Sequence, residues 1–119
     1  MGLFSKLFGK GKSEIKAPRM VKSEHLVEDA DELRQPLDFW GDHITVIIKP
    51  QDISEIQYLR KANQVIDWLN VNQFRIDDLL SASGQSSDTI IKVTISAGNS
   101  IIEMVNGVSV ELTEGFELV

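Results

Sequence analysis

The side chains in this chain that could do chemistry are few and scattered. Catalysis needs a proton acceptor, a nucleophile or a metal-holding set that converges on one point. The 119 residues offer His25, His43, eighteen carboxylates and loop serines, with no cysteine at all. A thiol nucleophile, a thiolate metal site and a disulfide are therefore excluded. Asp77 and Asp78 are the one acid pair with the right types for general acid–base work. Neighbours on a helix point about 100° apart, so such a pair reads more simply as two solvated charges. Neither a Gly-x-Ser-x-Gly elbow, a phosphate-cradling glycine loop with Lys, nor a His-Glu-x-x-His pair is present. Gly98 and Gly107 read as turn glycines. The expectation is a protein that is not an enzyme and needs neither cofactor nor metal.

Binding is the remaining class, and charge shapes it. Residues 1–22 carry six Lys or Arg against Glu14, a net of +5, while residues 23–119 carry six against seventeen carboxylates, a net of −11. This is a basic arm, 1–22, on an acidic domain, 23–119. An acidic body disfavours nucleic acid, whose phosphates need clustered cations, and suits a basic protein partner. Asp67, Trp68, Asp77, Asp78 and Trp40 are the candidate partner-binding residues: carboxylates to steer, indoles to anchor. The bland alternative is that the acids only keep a small protein soluble.

The arm allows a second reading. Leu3, Phe4, Leu7 and Phe8 fall on one side of a short helix, with Lys6 and Lys10 beside it. Such a stretch could lie in a membrane interface, its lysines on anionic lipid. An isolated helix this short is marginal, however, and the myristoylation pattern fails because Lys6 stands where Ser or Thr is needed. No apolar run has the ~20 residues that cross a bilayer, and a secretory signal core is missing. The expected location is the cytoplasm, with the inner membrane surface as the arm's alternative destination.

These residues need elements to position them. Ile44–Ile48 is β-branched throughout, as in a strand buried on both faces. Pro50 stops it, and Asp52 with Glu55 reads as a capping pair. Ile56, Leu59, Ala62, Val65, Ile66 and Leu69 then trace one helical stripe, with Trp68 at its edge. Asn70-Val71-Asn72 predicts its end, and a second, shorter helix covers 74–82. Upstream, 24–34 has the spacing of a short helix ended by Pro36, and 37–42 that of a short strand and turn. Downstream, strands are predicted at 89–96, 100–105 and 108–112, with Asn106-Gly107 as a hairpin turn. Ile91, Val93 and Ile95 share one predicted face. The sum is an α+β domain in the order β-α-α-β-β-β: a mostly antiparallel sheet of four to five strands, with two main helices on one face.

The run Phe39-Trp40-Gly41-Asp42-His43-Ile44-Thr45-Val46, the helix to Leu69, Asp77-Asp78-Leu79-Leu80, Gly98 and Asn106-Gly107 together resemble small bacterial α+β domains grouped with immunity proteins of polymorphic-toxin systems. The resemblance covers roughly 37–119. Where those domains often carry an aromatic and Gly-His near the last strand, this chain has Glu114-Gly115-Phe116-Glu117. The resemblance implies tight, non-catalytic binding to a toxin.

Overall fold

The computed structural model describes residues 19–39 and 42–119. After a single 3₁₀ turn at Ser23–His25, the order is β1 (Val27–Asp29), β2 (Glu32–Phe39), β3 (Asp42–Ile48), α1 (Glu55–Ala82), β4 (Ile90–Ile95), β5 (Ser100–Met104) and β6 (Ser109–Leu112). The six strands form one sheet in chain order, antiparallel everywhere except between β3 and β4, which run parallel. The α+β class stands. The expected four to five strands, two helices and β-α-α-β-β-β order are overturned: the described residues form six strands and one α-helix in the order β-β-β-α-β-β-β.

Three local reasons account for the differences. The apolar spacing over 24–34 is shared by a hairpin: β1 and β2 pair through a tight turn at Ala30–Asp31, with Ala30 at φ +57°. Pro36 then lies within β2, past the end of β1. The outer edge there has no strand partner, so the missing N–H breaks no ladder. The single helix has a different cause. Asn72 takes non-helical angles (φ −124°, ψ 16°), yet its Nδ2 donates to the Trp68 carbonyl at 2.9 Å. Leu69 and Ile76, on either side, are both buried in the same core. Burying both keeps the chain helical through a kink where sequence signals predict a stop. Third, Asp52 does not cap the helix. It sits at φ +65° in the turn closed by Ile53 N–H donating to the Pro50 carbonyl, a conformation that Asp tolerates. Ser54 is the cap instead, in a reciprocal capping box with Gln57.

The helix ends as its sequence suggests. Gly84 (φ +76°) lets Gln85 N–H reach the Leu80 carbonyl and Gly84 N–H the Ser81 carbonyl, a Schellman motif.

The core is one layer deep. Tyr58, Ala62, Val65, Ile66, Leu69, Ile76 and Leu80 of α1 cover the sheet face that carries Leu37, Ile44, Val46, Ile48, Val93, Ile95 and Ile102. A register shift between Ile90 and Lys92 turns Ile90 inward and leaves Ile91 42% exposed, so the predicted shared face of Ile91, Val93 and Ile95 loses its first member.

Residues 20–22 belong to this body. Val21 is buried to 2% exposure. Its N–H donates to Asn63 Oδ1 (2.8 Å) and its carbonyl accepts from Asn63 Nδ2 (3.0 Å). On the other side the buried Gln35 donates to the Met20 carbonyl (2.8 Å) and accepts from Lys22 N–H (3.1 Å). Two side-chain amides, one from α1 and one from β2, thus fasten residues 20–22 to the domain. Asn63→Ala removes both bonds to Val21. The expected cost is about 1–3 kcal/mol in urea unfolding, with amide exchange accelerated more at Val21, which also loses its local tie, than at Val93, which follows global stability.

Candidate functional site

The candidate partner-binding residues fall on different parts of the molecule. Trp40, and with it the arm residues Leu3, Phe4, Lys6, Leu7, Phe8 and Lys10, lies outside the described residues. Trp68 is half-buried and packs against the core cluster. Its carbonyl holds the Asn72 side chain, so Trp68 belongs to the structure of the kink.

The carboxylates separate. Asp67 and Asp78 are eleven residues apart, three helical turns, and face outward. Between them at the same periodicity stand Val71 and Phe74, which are 70% and 58% exposed. Asp67, Val71, Phe74 and Asp78 therefore form one outward stripe on α1, opposite its buried residues. Sequence reading missed Val71 and Phe74, because it placed the first in a helix-ending turn. Asp77 is directed elsewhere. It lines a hollow of about 390 Å³ with Phe39, Asp42, Gln73, Asp88 and Ile90, beside the start of β3 and β4.

Among the described residues no group of three His, Asp or Glu side chains is placed to hold a metal ion. His25 and His43 are both exposed, on separate elements. Among the described residues no helix is long and apolar enough to cross a membrane.

A second polar feature braces the far end of α1. Lys61 Nζ donates to the carbonyls of Ser96 and Gly98, both at 2.5 Å, tying the helix to the β4–β5 turn. Burial pushes its ammonium below the ordinary lysine value, and nearby Glu114 offsets part of that shift. Arg60, Gln64, Glu114 and Phe116 share the adjoining shallow hollow of about 340 Å³. With its charge already committed to backbone carbonyls, Lys61 is a structural brace.

Comparisons with protein-family models, with curated proteins and with solved structures returned no match.

The geometry of α1 separates anchor from scaffold. Phe74→Ser and Val71→Ser shift unfolding free energy by no more than about 0.5 kcal/mol, the range for exposed positions. Trp68→Ala costs about 2 kcal/mol or more, because it strips a side chain packed on the core. Urea denaturation of the three variants checks this ordering.

Proposed function

We propose that this chain is a non-catalytic protein-binding domain, and that its partner lays a basic segment with apolar side chains along the outer stripe of α1. The observation that carries the reading is Phe74 and Val71 standing exposed between Asp67 and Asp78. A large aromatic held in water at a fixed place on a rigid helix is suited to desolvation by a partner, while flanking carboxylates steer cations toward it. The net charge of −11 over residues 23–119 supports the same choice of partner. An immunity-type role, neutralising a basic toxin, is the most specific form of this reading and is the one that the sequence resemblance implies.

The test is affinity capture from the native cell lysate, with the full chain and two variants as baits. Phe74→Ser removes the anchor and Asp67→Asn/Asp78→Asn removes the charge. Under the proposal one basic protein is retained by the unaltered chain. It is lost with Phe74→Ser, and with the double variant its capture weakens and loses its dependence on salt. A partner held equally by all three baits overturns the assignment of the stripe. Capture of lipid alone overturns the protein-binding reading.

A further inference from the structure

The opposite face of the sheet, the one that α1 leaves uncovered, is built like a face that expects a cover. Strands buried on both faces read as near-continuous apolar runs, and Ile44–Ile48 in the central strand β3, parallel to β4, is such a run. Ile47 points away from α1, yet it is only 5% exposed, set in register between Arg34 and Thr94. Ile101, in register with Thr94, continues this face across β5. Ile91 and Val105 stand open beside it at the edge of a hollow of about 630 Å³, which Ile47, His43 and Lys92 also line.

Charge and connectivity point to the occupant. On this face five carboxylates, Asp29, Glu32, Asp38, Glu103 and Glu111, outnumber Arg34 and Lys92. Local pairing leaves both cations engaged: Lys92 Nζ is 2.9 Å from Glu103, and Arg34 reaches Asp29 and Glu32. The surplus is negative. The described chain begins at Arg19, whose Nε lies 3.6 Å from Asp38 at the rim of this same face. Upstream of it lie 18 residues with four lysines against Glu14, and with Leu3, Phe4, Leu7 and Phe8 on one side of a potential helix. Residues 11–18 could span up to about 26 Å if extended. Six strands about 4.8 Å apart make a sheet only about 24 Å wide, so the middle of the face is within reach.

We infer that the uncovered sheet face is the docking site of the chain's own basic arm, which lays Leu3, Phe4, Leu7 and Phe8 over Ile47, Ile91 and Ile101 with its lysines toward the surplus carboxylates. This second layer is separate from the outer stripe of α1, so it stands or falls apart from the binding reading above.

The absence of cysteine allows a clean test on the full chain. Ser5→Cys, off the apolar side of the arm, carries a nitroxide spin label, and the methyl signals of isoleucine and valine are read by NMR. The expected result is loss of the Ile47, Ile91 and Ile101 signals with the Val71 signals preserved, in a sample diluted with unlabelled chain. Ile91→Glu/Ile101→Glu should restore the Ile47 signal. No signal loss, or loss centred on Val71, overturns the inference. Loss that arises only between differently labelled chains overturns it in favour of a second copy as the occupant.

Discussion

The parallel pairing of β3 with β4 is the constraint on which the rest of the structure depends. Antiparallel neighbours can be joined by a two-residue turn, but parallel neighbours need a crossover long enough to carry the chain back. Here that crossover is α1, and its return path lays it along one face of the sheet. Every strand before it and every strand after it is added by an antiparallel neighbour, β2 and β1 on one side, β5 and β6 on the other. A single helix therefore closes the core for six strands. That explains why it runs through the kink at Asn72: ending there would leave Ile76 and Leu80 without the cover of a common stripe.

The places that strands and helix do not close are handled by individual polar side chains. Gln35 and Asn63 grip the backbone around Val21 along the unpaired edge of β2. Buried amides are costly unless each donor and acceptor is met, and among the described residues no buried side-chain polar atom is left without a partner. Lys61 makes the equivalent tie at the β4–β5 turn. At the other end, the tail after β6 folds back through a Leu112–Leu118 bridge and covers part of the last strand's edge.

The same architecture leaves two surfaces of different character. The outer side of α1 is convex, with exposed apolar side chains set between acids. The far face of the sheet is broad and partly apolar, and its carboxylates outnumber the cations that pair with them. A one-layer core makes this inevitable, since one helix can shield only one side of a sheet.

Sequence by itself determined the parts governed by local chemistry. The buried strand around Ile44–Ile48, the predicted stripe from Leu59 to Leu69 (its first member, Ile56, is 70% exposed, and Tyr58 is buried instead), the Asn106-Gly107 hairpin and the turn at Gly98 follow from side-chain period and backbone preference, which act within a few residues. The charge division between arm and body and the absence of cysteine are composition alone. Tertiary structure decided the rest. The spacing in 24–34 fits a helix and a hairpin equally, and only pairing with β3 selects the hairpin. Asn70–Asn72 has the composition of a stop, and only the shared burial of Leu69 and Ile76 overrides it. Asp52 and Ser54 both suit a cap, and the turn after Pro50 claims Asp52 first. Val71 and Phe74 became visible as a surface pair only once α1 was continuous. In each case local preference differs little between alternatives, and burial of distant apolar residues, worth about 1.5–3 kcal/mol per large side chain, makes the choice.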